Sequence, residues 1–185
     1  YKCNGNFSLN ISNDQTGEKG STDFMQTRNF GLKWSHSQDS KAHPGSTFSA
    51  SVNFSSPSNN RYNSHSVSDA LQNQASSSIS YSKNWGGKFN LSLNALHSQN
   101  SRDSSYAFTL PNVTFSVSRL YPFKRKNSVG KENFYEKFSP GYNTTLQNKV
   151  NFKASEFMKD GFMDKFQNGM THNFQIGLPN FTIAK

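Results

Sequence analysis

Polar and apolar residues alternate along this chain with a period of two. In Asn6–Ser12, Phe7, Leu9 and Ile11 fall on one side, and Asn6, Ser8, Asn10 and Ser12 on the other. The pattern returns at Phe30, Leu32 and Trp34, then at Phe48, Ala50, Val52 and Phe54 against Ser49, Ser51 and Asn53. It continues at Ile79 and Tyr81, then at Phe89, Leu91, Leu93 and Ala95. Tyr106, Phe108 and Leu110 precede Pro111, which shifts the phase before Val113, Phe115 and Val117. Tyr142, Leu146, Val150, Phe152 and Ala154 follow, and lastly Phe174, Ile176 and Leu178. Strict alternation marks strands with one apolar and one polar face. It predicts about eight strands of about ten residues, the length a tilted strand needs to cross a bilayer.

Two architectures carry such strands. A soluble β-sandwich buries its apolar face between two sheets, whereas a membrane β-barrel turns it to lipid and keeps the polar face for a lumen. Here the polar face is mostly Ser, Asn, Thr and Gln, small neutral groups that suit a concave wet surface. The strands also exceed the sandwich mode of about 5–6 residues. The prediction is an all-β, antiparallel, up-and-down transmembrane β-barrel segment, about eight strands of a larger barrel, with residues 1–185 as part of one barrel domain.

Gly86-Gly87 fits a tight hairpin turn, and His43-Pro44-Gly45 another. Longer connections are predicted at about Ser55–Ala75 and Arg119–Lys137. Barrels pair short periplasmic turns with long outer loops. Counting strands puts Arg119–Lys137 at the same end as the two short turns, so either a strand near Pro111 is miscounted or that loop is long on the periplasmic side. The count sets no orientation. Leu110-Pro111-Asn112 and Leu178-Pro179-Asn180 form a near-repeat that suggests a bulge or bend. Residues 155–168 read as a short helical connection, with Phe157, Met158, Phe162, Met163 and Phe166, Ser155 as cap and Gly169 as stop. Gly161 weakens that helix, and a packed loop is preferred to a membrane-surface element.

Composition narrows the function. Hydrophobic residues make up 32% and charged residues 17%, while Ser numbers 30 and Asn 23, so the polarity is neutral. No apolar run reaches the roughly 18 residues of a membrane helix. The 14% aromatic content argues against disorder. A net charge of +9 favours anionic partners. One cysteine, Cys3, excludes an internal disulfide. Tyr1 is not an initiator Met, which reads as a mature or excised piece whose targeting signal lies upstream.

Candidate chemistry is sparse. Sequons begin at Asn6, Asn10, Asn53, Asn90, Asn112, Asn143 and Asn180. Most lie mid-strand, where Asn and Ser two apart share the polar face, so they are read as face-sharing rather than glycan acceptors. His36, His43, His65, His97 and His172 are scattered without metal-ligand spacing. No nucleophile elbow or phosphate loop appears, so neither an enzyme nor a cofactor is expected. The densest basic cluster is Lys124-Arg125-Lys126 with Arg119 and Lys131, interleaved with Tyr121, Phe123, Phe134 and Tyr135. A solvated loop comes first for it, contact with anionic lipid at the headgroup level second. Nucleic acid comes last, since the strand faces carry Ser and Asn instead of cations.

Several ordered segments resemble the barrel region of LptD-like lipopolysaccharide-assembly proteins of Bacteroidota-type bacteria. They are Trp34–Lys41, Pro44–Phe54, Ser98–Ser104, Leu110–Asn112, Tyr121–Lys126, Val129–Glu132 and Asn168–His172. The resemblance implies a large outer-membrane barrel preceded by a periplasmic domain, plugged by an LptE-like lipoprotein. It would receive lipopolysaccharide from a periplasmic bridge and release it into the outer leaflet. Partners so implied are lipopolysaccharide, outer-membrane lipid, the lipoprotein and the bridge, with no nucleic acid. Two other readings are another outer-membrane channel or receptor barrel, and a soluble secreted β-sandwich adhesin or glycan-binding module.

Overall fold

The computed structural model describes residues 3–39, 41–56, 74–125 and 132–178. Eight strands follow one another: β1 Cys3–Thr16, β2 Met25–Gln38, β3 Ser46–Ser55, β4 Gln74–Trp85, β5 Phe89–Asn100, β6 Ser105–Val117, β7 Ser139–Lys153 and β8 Gln167–Gly177. They form one antiparallel sheet in the order β1-β2-β3-β4-β5-β6-β7-β8, so each strand pairs with its neighbours in sequence. β1 does not pair with β8, and the sheet is open. Among the described residues no second sheet packs on it, which removes the sandwich.

The register keeps one face apolar from strand to strand. Phe7 lies opposite Trp34, Leu9 opposite Leu32 and Ile11 opposite Phe30. Tyr81 lies opposite Phe48 and Leu93, and Leu93 opposite Val113. Val113 in turn faces Leu146, and Leu146 faces Met170. These groups are not buried: Ile11 is 72% exposed and Phe174 74%. The accessible surface is 13774 Å², whereas a compact protein of 20.8 kDa exposes about 9,000 Å². Water is a poor solvent for such a face, since each square ångström of apolar surface left wet forgoes about 25 cal/mol.

Rings concentrate near both strand ends, with aliphatic groups between. One row holds Trp34 and Phe48 (6.3 Å apart), Phe89 and Phe115 (6.5 Å), and Tyr142 and Phe174 (4.8 Å). The other holds Phe30 and Phe54 (5.6 Å), then Phe108 and Phe152 (5.8 Å). From Tyr142 to Phe152 a strand rises about 33 Å, or about 25 Å across a sheet tilted by about 40°. That is the height of the apolar band of an outer-membrane barrel, flanked by its aromatic girdles.

Pro111 lies inside β6, and no strand is miscounted there. Leu96 pairs with Thr109 and Asn94 with Asn112. On the other side, Thr109 pairs with Lys149 and Asn112 with Gln147. β6 thus holds one residue more than either neighbour across this step. That bulge moves the apolar set from the even positions Tyr106 and Phe108 to the odd positions Val113 and Phe115. The connection 118–138 therefore does emerge at the end of the 39–45 and 86–88 turns. The latter needs glycine: Gly86 (φ 57°) and Gly87 (φ 68°) both take left-handed backbone and, with Lys88, link Trp85 to Phe89.

Residues 154–166 hold two single 3-10 turns, Ala154–Glu156 and Met163–Lys165, and no α-helix. Left-handed backbone at Met158 (φ 56°) and Gly161 (φ 80°) interrupts the helical path between them.

The register yields a test. Leu93→Arg, at the middle of the apolar band, should destabilise the protein in phospholipid bilayers by about 2–4 kcal/mol in a denaturant titration. Asn94→Arg, on the opposite face, should leave the midpoint nearly unchanged.

Candidate functional site

The polar face is the first candidate surface. Its hydroxyls bond across strands, Thr47 to Ser82 and Ser49 to Ser80, each at 2.7 Å. Near the end where β5 meets β6 a groove of about 770 Å³ is lined by Gln74, Ser76, Ser98, Asn100, Ser105, Asn151 and Lys153, among others. Neutral donors and acceptors share its lining with Tyr106 and Phe152. The neutral groups exchange hydrogen bonds with water or sugar hydroxyls, and Lys153 and Glu156 are the charged residues of the lining. Among the described residues no cluster of His, Cys, Asp and Glu could hold a metal ion.

Beside this groove the ladder between β3 and β4 ends early, at Ser51 opposite Ser78. Two side chains take over from the backbone. The Ser77 hydroxyl accepts the Asn53 N–H at 2.9 Å and lies 3.0 Å from the Asn53 carbonyl. The Gln99 amide accepts the Ser55 N–H at 3.3 Å and donates to the Ser55 carbonyl at 3.0 Å. Ala75, opposite Gln99, leaves room for that reach. The end of β3 thereby leans across β4, bringing Phe54 against His97 at 4.9 Å and Phe108 at 6.5 Å on the apolar face. Sequence reasoning missed Ser77 and Gln99. Gln99 sits where alternation calls for an apolar residue, and that break in the pattern was the available signal.

The second candidate is the basic connection after β6. Arg125 is clamped to Glu136: its Nε donates to Oε1 at 2.7 Å and its Nη2 to Oε2 at 3.0 Å. The Asn133 N–H adds a bond to the same carboxylate at 2.7 Å. Glu136 is only 1% exposed. The Arg125 guanidinium, and then the Asn133 N–H, pull its pKa from 4.5 down to about 2. Lys124 pairs with Glu132 at 2.9 Å and lies 5.8 Å from the Tyr121 ring centre. Arg119 is exposed and has no carboxylate partner among the described residues. Lys126 and Lys131 lie outside the described residues.

Of the five predicted cations, then, two neutralise carboxylates of their own connection. Arg125 closes the loop by a bidentate bond, and Lys124 lies at the surface where pairing is weak. The end that carries this connection also bears Lys41, Lys88, and Lys83 stacked 5.3 Å from Trp85, just beyond an aromatic row. Cations beside rings at the edge of an apolar band suit lipid headgroups.

One apolar face bounded by ring rows, and one face of hydroxyls and amides, define the wall of a transmembrane-type β-barrel, here open at both edges. The chain belongs to the LptD protein family, whose model matches residues 1–185. That is an outer-membrane family of lipopolysaccharide transport and assembly rather than of enzymes. No curated protein and no solved structure matches the chain.

The clamp has a defined pH response. Glu136 has a lowered folded-state pKa, so its contribution is complete above the ordinary 4.5 and is lost as pH falls toward about 2. Pepsin cleavage near Phe134, corrected for the enzyme's own pH profile, should rise across that window. Glu136→Gln should expose the bond after Arg125 to trypsin at neutral pH.

Proposed function

We propose that this chain is part of the barrel wall of an outer-membrane translocon that inserts lipopolysaccharide into the outer leaflet, of the type found in Bacteroidota. The family match over 1–185, joined to a sheet with one lipid-suited and one sugar-suited face, carries this reading. The action is physical. Ser, Thr and Asn side chains line a hydrated interior that sugar headgroups can pass, because each hydrogen bond they offer replaces one to water and is worth little net. The apolar band and its ring rows face bilayer lipid. An LptE-like lipoprotein plug and the periplasmic bridge would complete the path, as the resemblance of the ordered segments implies.

The basic rim takes a supporting role. Arg119 and Lys124, with Lys126 and Lys131, would meet lipid phosphate at the headgroup level, while Arg125 holds the connection in shape. A phosphate near the rim would compete with Glu132 for Lys124, an exchange that a weak surface pair permits.

Photocrosslinking tests the reading. A photoreactive residue at Ser98 or Ser80, on the polar face, should give lipopolysaccharide adducts in living cells. The same residue at Leu93 should give adducts with bilayer lipid. Adducts to other cargo and none to lipopolysaccharide at Ser98 and Ser80 would instead mark a channel or receptor.

A further inference from the structure

The connection between β7 and β8 does not simply join two strands. Phe152, on the apolar face near the end of β7, is only 8% exposed. Phe157 stacks on it at 5.6 Å and Phe162 meets it edge-on at 5.1 Å, with Phe166 a further 5.8 Å from Phe162. The connection therefore folds back over the apolar face instead of continuing away from the strand end. Its own outer surface is apolar as well: Met158 is 80% exposed and Met163 76%. Exposed methionines at this level are not what a self-contained packed loop presents to water.

The charges fit the same picture. Glu156 accepts Lys165 Nζ at 2.7 Å and the Lys153 N–H at 2.8 Å, which lowers its pKa, the Lys153 N–H being the larger cause. That carboxylate is thus partnered beside the rings. Lys159, Asp160 and Asp164 are exposed and lie between the apolar residues in sequence. Charges so close to the methionines keep such an element at the headgroup–acyl boundary and out of the hydrocarbon centre.

We infer that residues 154–166 form an interfacial wedge, in which Met158, Met163 and Phe157 insert into the membrane leaflet at the β7–β8 end of the sheet. The inference rests on the proposal that the apolar face meets lipid. Whatever covers Phe152 on that face stands between it and the bilayer, so the outer side of the cover is the membrane contact. The partner is a lipid leaflet, because the patch is continuous through Phe152 with the apolar band.

Depth-resolved quenching tests it. Met158→Cys and Met163→Cys, each in a Cys3→Ser background of the full-length protein in phospholipid vesicles, are labelled with an environment-sensitive fluorophore. Signal is taken as the difference from the protein lacking the introduced cysteine. Leu93→Cys and Ile79→Cys serve as references for the middle of the apolar band. The expected result is several-fold stronger quenching of the Met158 and Met163 labels by a nitroxide near the headgroup than by one at the acyl end, with the reverse order at Leu93 and Ile79. If the references are quenched in that order while the two wedge labels respond only to a water-soluble quencher, the wedge is wrong and the lipid-facing sheet stands. If all four respond only to the water-soluble quencher, the lipid-facing sheet falls and the wedge with it.

Discussion

Backbone hydrogen bonding in hydrocarbon is the constraint on which this architecture depends. Inside a bilayer no water is present to satisfy a free N–H or C=O, so a spanning strand must find every partner in its neighbours. The ladders running from β1 to β8 do this without a crossover. The two outer strands cannot. Among the described residues β1 and β8 each show an edge with no strand beside it, and such an edge is a template for pairing. A wall of this kind meets the constraint only when further strands cover both edges, which is what a larger barrel provides. The same logic explains Ser77 and Gln99. Where β3 leaves β4, its Asn53 and Ser55 groups are not left bare, because a hydroxyl and an amide replace the missing strand.

The strands were legible because a period of two is a direct print of pleat geometry. The phase change at Pro111 was legible for the same reason, since an extra residue in β6 swaps the parity of Phe108 and Val113. The ring rows were not, because Trp34 becomes a neighbour of Phe48 only once the register is known. The rim was read only in part. Lys124, Arg125 and Arg119 stand where the sequence places them, in one connection. Composition could not show that Arg125 is committed to Glu136 across that loop. Residues 155–168 have the spacing of an amphipathic helix. Gly161, noted as a weak point, is one of the two left-handed residues between the 3-10 turns that form instead.

Charge placement separates holding the wall together from handling cargo. The Arg125–Glu136 pair is bidentate and backed by a backbone N–H, with the carboxylate buried and the guanidinium about half exposed, and it ties Arg125 to Glu136 across the connection. The polar face uses almost the opposite chemistry. Its Thr47–Ser82 and Ser49–Ser80 contacts join neutral groups that swap one partner for another at little net cost. Under the proposed role, a face along which a large glycolipid headgroup slides benefits from partners that exchange so readily. A row of fixed cations there would trap phosphates, since each well-placed charge-assisted bond is about twice as strong as a neutral one.

The leaning of β3 links these parts. It carries Phe54 over His97 and toward Phe108, so the apolar face is gathered at one end and spread at the other, where, among the described residues, the ring contacts of Trp34, Phe89 and Tyr142 stay on adjacent strands or their own. The gathered end is also where Phe157 and Phe162 close over Phe152. A sheet whose rings cluster on one rim and open along the other has two unlike ends. In the proposed membrane placement they would meet the two leaflets differently: one through a folded cover of Phe and Met, the other through aromatic rings backed by Lys83, Lys88 and Arg119. Such unequal ends follow from the early end of the β3–β4 ladder and the turn of the chain after β7.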